Sequence, residues 1–99
     1  MSRLLFTVED TFYIQGRGLV PFPGIVPIEN ERFHIGDSLL LKRPDGTTVM
    51  SRIAGIEMMN PPLPNFAVVV LLKELTKDDV PIGTEVWSVD RDVSSTKQD

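Results

Sequence analysis

The sequence predicts an all-β fold, and three observations lead to that prediction. Apolar and polar residues alternate in the first segment with the two-residue period of a strand that has one buried face. Glycine and proline interrupt the chain about every eight to twelve residues, which is typical of β-barrels and β-sandwiches. No long window shows the apolar spacing of an amphipathic helix. A small antiparallel barrel or sandwich is therefore expected.

The first strand is predicted where four apolar residues share one parity: Phe6, Val8, Phe12 and Ile14. Asp10 has the same parity, so its carboxylate must be partnered, lie at the mouth of a barrel or be turned outward by a bulge. Two glycines flank Arg17 and allow the chain to reverse there into a hairpin. Pro21 and Pro23 lack the N–H that a central strand donates, so an edge, a bulge or a loop is expected at these residues.

The remaining elements are separated by turn signals. Further strands are predicted at residues 25–28, 38–42, 47–58, 66–72 and 85–89. The sequence Pro44-Asp45-Gly46 predicts a turn that pairs the strand at 38–42 with residues 47–53. A bend is expected at Ala54 and Gly55, where the alternation loses phase. Residues 76–80 form the one predicted helical turn, with Thr76 as its cap.

Length and composition suit a single soluble domain. The chain has 99 residues, 41% of them hydrophobic, so one domain over residues 1–90 and a flexible tail at 91–99 are expected. The absence of cysteine excludes disulfides and thiolate metal sites and fits a cytoplasmic location. The longest apolar run, residues 66–72, is too short for a membrane-spanning helix. The net charge of −4 disfavours DNA and anionic membranes as partners, although local cations can still contact RNA.

Five fragments resemble, in order, parts of the second domain of elongation factor Tu and related translational GTPases. They are FTVEDTFYIQGRGLV, HIGDSLLL, SRIAGIEMM, VVVLLKELTKDDV and PIGTEVW, and they cover roughly residues 4–88. The resemblance implies a small closed antiparallel β-barrel of the translation-factor type. The chain lacks the GxxxxGK[ST] phosphate loop and has no room for a GTPase domain. An accessory domain standing alone, without GTP binding, is therefore implied.

The resemblance also implies a set of site residues. In the elongation factor this barrel helps to bind the aminoacylated end of tRNA, and in relatives it packs against ribosomal RNA. Four residues match, by position, the residue types that line the aminoacyl pocket: Glu9, Asp10, Phe12 and Glu57. At three other pocket positions Leu19 replaces a threonine, Met59 a histidine and Ala67 an asparagine. The loss of three hydrogen-bonding side chains disfavours aminoacyl-tRNA itself as the ligand.

Three further residues are candidate contacts, each with a simpler structural interpretation. Arg17 could meet a phosphate, or it could be a turn cation that pairs with a neighbouring carboxylate. Met58 and Met59 precede a proline-rich loop at residues 61–64. Methionine and proline together could form an adaptable apolar contact patch, or they could cap the barrel.

Catalysis and metal binding are not expected. Glu9 and Asp10 are adjacent in a predicted strand, so their side chains point to opposite faces and do not easily share one substrate. His34 is the single histidine, and no neighbouring residue has the spacing of a second metal ligand. One histidine also leaves little general-base capacity near neutral pH. No cofactor is therefore expected, and the chain is not predicted to be an enzyme.

The leading hypothesis is a non-catalytic binding module whose partner is a protein or a structured RNA of the translation apparatus. Its contact surface would be the groove near Glu9, Asp10, Phe12, Met58 and Met59. The alternative is a protein-interaction domain unrelated to translation, with its interface on the proline-containing loops at residues 21–23 and 61–64. An enzyme is the third hypothesis, and a deep pocket with a perturbed carboxylate at Asp10 would favour it.

Overall fold

The computed structural model describes residues 2–57 and 67–89. These residues are mostly β, in antiparallel sheets, which confirms the predicted fold class at that level. The strands are β1 (Leu4–Thr7), β2 (Asp10–Ile14), β3 (Gly18–Phe22), β4 (Ser38–Lys42), β5 (Thr48–Arg52), β6 (Gly55–Glu57), β7 (Val69–Leu71) and β8 (Glu85–Ser88). Within these residues there is one 3-10 turn, at Lys77–Asp79, and no α-helix.

The strands form one four-stranded sheet and two two-stranded sheets. The larger sheet has the order β1-β8-β4-β5, while β2 pairs with β3 and β6 pairs with β7. Two isolated bridges, Leu19–Leu72 and Ile25–Val68, connect β3 and the residues after it to the two flanks of β7. None of the three sheets, over the residues described, closes on itself as a barrel.

The main core is formed by side chains from β1, β3, β4, β7 and β8 and from the segments between strands. In β4, Leu39 and Leu41 are buried and Leu40 between them is half-buried, as the sequence predicts. Thr84 is the fully buried polar residue, and its Oγ1 donates to the carbonyl of Pro81 at 2.6 Å. The main core comprises Leu5, Phe6, Val8, Leu19, Ile25, Leu39, Leu41, Ile53, Val70, Leu72, Val80 and Val86.

The predicted first strand is two strands, and the side chains change face between them. Phe6 and Val8 point into the core before the break. After it, Phe12 and Ile14 are exposed, so the expectation that they share the buried face is wrong. The interruption between β1 and β2 shifts the alternation by one residue. Asp10 is consequently turned outward, which is one of the three expected outcomes for that carboxylate.

The hairpin of β2 and β3 reverses at Arg17, as predicted, and the N–H of Arg17 donates to the carbonyl of Ile14 at 2.9 Å. Pro21 is buried within β3, opposite Thr11. Between the two bridges, the chain advances six positions from Leu19 to Ile25 but only four along residues 68–72. Since Pro21 has no N–H to donate toward β7, the extra residues form the expected bulge.

Most other predicted elements are confirmed, and one is wrong. The strands β4 and β5 pair across the predicted turn, and residues 53 and 54 separate β5 from β6 where the bend is expected. The predicted strand at 25–28 is wrong: Ile25 alone makes a bridge, to Val68, and Val26 and Ile28 are exposed. The predictions for residues 58–66, including Met58 and Met59, and for the tail lie outside the described residues.

Two glycines allow β3 to approach the flanks of β7. Gly18 has φ +140°, and a Cβ atom built there would lie 2.6 Å from the carbonyl oxygen of Leu72. Gly24 has φ +105°, and its Cβ atom would lie 2.7 Å from the carbonyl oxygen of Val68. Each glycine immediately precedes a bridged residue. Both bridges therefore require a residue without a side chain next to them.

Gly18→Ala should destabilise the protein more than Gly16→Ala in the same turn. Gly16 also has positive φ, +81°, but nothing lies within 4 Å of a Cβ atom there. Gly16→Ala should therefore cost only the conformational penalty, about 1 kcal/mol. Gly18→Ala must also displace the Leu72 carbonyl, for a total of about 2–4 kcal/mol. Urea unfolding measures both free energies, and equal losses would contradict the close approach.

Arg3, which immediately precedes β1, binds the loop between β3 and β4 through a salt bridge to Glu31. Its Nε donates to Glu31 Oε2 at 2.8 Å and its Nη2 donates to Glu31 Oε1 at 2.6 Å. The N–H of Ile28 donates to the same carboxylate at 3.1 Å. The hydrogen bonds from Arg3 lower the pKa of Glu31, and they raise the pKa of Arg3. This bidentate pair gives the loop a fixed attachment point.

Glu31→Gln should lower the free energy of unfolding at pH 7 by about 1 kcal/mol, since the pair is partly exposed. Because the pKa of Glu31 is lower in the folded state, its stabilisation is complete above the unfolded pKa of about 4.3. It is then lost as the pH falls through the folded pKa. The difference between wild type and variant in thermal unfolding should therefore vanish in strong acid. A difference that persists at about pH 2 would show that charge is not its source.

Candidate functional site

The strands β3 and β7 carry a second apolar layer on the face opposite the main core. Because successive side chains alternate, Leu19 and Val70 point into the core while their neighbours point outward. Three of these outward residues are nonetheless buried and pack with Phe22, and we name them the outer cluster: Val20, Val69 and Leu71. The outside of these strands is thus not an ordinary polar surface.

Phe12 lies over the outer cluster and is 49% exposed. It is directly opposite Val20 in the β2–β3 register, and its ring meets that of Phe22 edge-to-face with centroids 5.7 Å apart. Lys77 places its Nζ 5.9 Å from the centroid of Phe12 and also donates to the carbonyl of Thr11. A half-exposed aromatic ring is therefore held between a second ring and a cation.

Arg17 and Glu57 form an ion pair across the same face. Nη2 of Arg17 donates to Oε2 of Glu57, and the side chains are 52% and 26% exposed. Glu57 is opposite Val69 in the β6–β7 register, so its side chain lies on the side of the outer cluster. The pair connects the hairpin turn to β6. The sequence left two interpretations of Arg17, a phosphate contact or a pair with a carboxylate, and the structure contains the pair.

The structure brings together four of the seven predicted site residues. The register places Asp10 opposite Phe22, on the face that also carries Phe12, Arg17 and Glu57. Asp10 Oδ1 accepts a hydrogen bond from its neighbour's backbone N–H at 2.8 Å. Glu9 lies in the break before β2 and is exposed, and its backbone N–H donates to the carbonyl of Phe22 at 2.8 Å. The remaining two, the methionines at 58 and 59, lie outside the described residues.

A groove of about 460 Å³ separates the hairpin turn from the chain that follows β7. We name it the hairpin groove, and it is lined by Tyr13, Gly16, Arg17, Gly18, Lys73, Glu74, Leu75 and Thr76. Among the predicted site residues that the structure describes, only Arg17 lines it. Sequence reasoning missed Tyr13 and residues 73–76. One signal could have located residues 73–76 as part of the groove. It is the abrupt change from apolar residues to Lys73 and Glu74 after the valine-rich strand.

The carboxyl groups whose pKa values are clearly lowered accept hydrogen bonds in turns or take part in ion pairs. Hydrogen bonds from the backbone and hydroxyl of Thr76 lower the pKa of Asp79, and those from Thr47 lower the pKa of Asp45. With Glu31, these groups lie outside the hairpin groove. Within residues 2–57 and 67–89, no three histidine, aspartate or glutamate side chains are grouped to hold a metal ion. No helix in that part of the chain is long and apolar enough to cross a membrane.

Comparison with known proteins identifies no relative: no family model, no curated protein and no solved structure matches the chain. The fold defines it by class, as a mostly β protein with antiparallel sheets. The relationship to the elongation factor stays a prediction that rests on the sequence fragments.

The Arg17–Glu57 pair should contribute little to stability. Arg17→Gln and Glu57→Gln should each lower the free energy of unfolding by less than about 1 kcal/mol, because Arg17 is half exposed and water screens the charge. A double-mutant cycle should give a favourable coupling that shrinks when salt is raised from about 0.05 M to about 1 M. Arg32→Gln, at an exposed arginine elsewhere, is the matched control. Zero coupling at low salt would mean that the pair does not persist in solution.

Proposed function

We propose that the chain is a non-catalytic binding module with the barrel architecture of the second domain of elongation factor Tu. The partner is a protein or structured RNA of the translation apparatus. It binds the outer face that carries Asp10, Phe12, Arg17 and Glu57. The half-exposed ring of Phe12 on a preformed apolar layer is the observation that carries this proposal. Exposed aromatic residues with a rigid apolar base are common energetic centres of interfaces.

Hydrogen bonds at two points in the chain support the barrel. The N–H of Val8 donates to the carbonyl of Thr84 at 2.8 Å, while that of the next residue, Glu9, donates to the carbonyl of Phe22. The strands β1 and β2 therefore act as one bent strand with a partner on each side. This is how a strand passes from one sheet to another at a barrel corner.

The second point lies between β5 and β6. The N–H of Ile53 donates to the carbonyl of Asp37 at 2.9 Å, and that of Ala54 donates to the carbonyl of Leu71 at 2.8 Å. With the bridge between Leu19 and Leu72, these bonds connect the three sheets to one another and support a barrel. We therefore propose the order β1/β2, β3, β7, β6/β5, β4, β8 and back to β1 for a closed barrel.

A binding role suits the chemistry of the outer face better than catalysis does. The ionised groups there are already engaged with protein atoms: Arg17 with Glu57, and Lys77 with a backbone carbonyl and the Phe12 ring. Such groups offer a shaped and partly charged surface. They do not form a nucleophile and base in mutual contact, which a covalent or acid–base mechanism requires.

The experiment is co-sedimentation of the protein with ribosomes over a series of salt concentrations. The wild type should sediment with ribosomes at low salt. Phe12→Ala should lower the apparent affinity about tenfold, as expected for an aromatic interface centre. Ile35→Ala is the matched control, because Ile35 is 67% exposed in a loop away from the outer cluster, and it should change nothing. Circular dichroism verifies that each variant is folded.

Nuclease treatment of the ribosomes separates the two partner classes, since loss of binding after digestion identifies RNA and retention identifies protein. Absence of enrichment at every salt concentration would refute the translation-linked function. Equal affinities of Phe12→Ala and the wild type would place the contact on another surface.

A further inference from the structure

One edge of β5 has no backbone partner among the residues that the structure describes. Arg43 and Thr47 are hydrogen-bonded across β4 and β5, and so are Asp37 and Ile53. In an antiparallel pair such residues alternate with residues whose backbone groups point away. The N–H and C=O groups of Thr48, Met50 and Arg52 therefore face away from β4. Within the described ranges, no backbone group pairs with that side.

A row of apolar side chains crosses the outer face of the four-stranded sheet and ends at this edge. In register, Leu4 is opposite Trp87, Trp87 is opposite Leu40 and Leu40 is opposite Met50. Met50 is 55% exposed. A fifth strand alongside β5 would extend the row, and an apolar residue opposite Met50 would cover it.

A groove of about 320 Å³ runs along the edge of β5, and we name it the edge groove. It is lined by Met50, Ser51, Arg52, Ala54, Lys73, Glu74 and Leu75. The groove exists because the chain leaves the sheet after β7 and turns at Glu74, whose φ is +65°. Neither Arg52 nor Lys73 has an ion-pair partner among the residues described, although the chain as a whole is acidic.

We propose that the edge of β5 is a strand-addition site for an extended peptide segment of a partner protein. The segment binds antiparallel to β5, with an apolar residue opposite Met50 and an acidic residue opposite Arg52. Backbone hydrogen bonds supply the register, and the two side-chain contacts supply the selectivity. Five residues of β5 accommodate a segment of about the same length.

Charge favours this occupant over a second copy of the chain. A two-fold pairing of two β5 edges about Met50 would set Arg52 of each copy opposite Thr48 of the other. Arg52 would then have no carboxylate opposite it. An acidic segment meets the cations Arg52 and Lys73 with the opposite charge.

The test uses a fluorescein-labelled synthetic peptide of sequence SETVVTS, whose glutamate and first valine would lie opposite Arg52 and Met50. Anisotropy should show saturable binding below about 1 mM. The peptide SKTVVTS should bind at least about fivefold more weakly because of charge repulsion. The peptide SETPVTS should not bind, because proline removes the N–H that pairs with Met50. In amide NMR spectra, Thr48, Met50 and Arg52 should shift more than Val49 and Ser51.

Arg52→Glu should reverse the preference between the glutamate and lysine peptides. Arg32→Glu makes the same charge change at an exposed arginine outside the groove, so it should leave the preference unchanged. The proposal is overturned by no saturable binding of SETVVTS up to several mM, by equal binding of the proline peptide, or by equal effects of the two charge reversals. Displacement of the peptide by a short oligouridylate would show that Arg52 and Lys73 bind phosphate, and that result would also overturn the proposal. Amide shifts that depend on protein concentration alone would identify a second copy.

Discussion

The close approach of β3 to the two flanks of β7 is the contact on which the described structure depends. The bridges at Leu19 and Ile25 attach the β2–β3 hairpin to the rest of the molecule through backbone hydrogen bonds. At each bridge the carbonyl of the facing strand occupies the space of a Cβ atom. Only glycine satisfies that distance together with positive φ. Two residues with no side chain thus determine where the hairpin lies.

The outer face follows from that contact. With its two ends fixed at the bridges, β3 has more residues than the strand it faces, and the excess is taken up around Pro21. A proline is suited to this position because it has no N–H to leave unpaired there. The neighbours of Pro21, Val20 and Phe22, are consequently directed outward, where Val20 packs in the outer cluster and Phe22 meets the Phe12 ring. The apolar outer layer is thus a consequence of how the hairpin is attached.

The sequence predicted correctly those elements that depend on neighbouring residues. It did not predict features that depend on contacts between residues far apart in the chain. The turns at Arg17 and at Pro44-Asp45-Gly46 and the cap at Thr76 depend on neighbouring residues, and the structure confirms them. Asp10 on the apolar parity indicated a bulge as one of three outcomes, but the alternating pattern did not show that Phe12 and Ile14 would face outward. The hairpin groove combines Tyr13 with residues about sixty positions away, and only the tertiary structure brings them together.

The two grooves are built on a shared wall, and this determines which residues can distinguish them. Lys73, Glu74 and Leu75 line both the hairpin groove and the edge groove, because the chain passes between the hairpin and β5 as it leaves β7. A substitution in this wall alters the shape and charge of both grooves together. Tyr13 and Arg17 line the hairpin groove but not the edge groove. Met50 and Arg52 line the edge groove but not the hairpin groove. A ligand can therefore be assigned to one groove only when its affinity changes on substitution of a residue that lines that groove and not the other. The hairpin provides such residues for the hairpin groove, and β5 provides them for the edge groove.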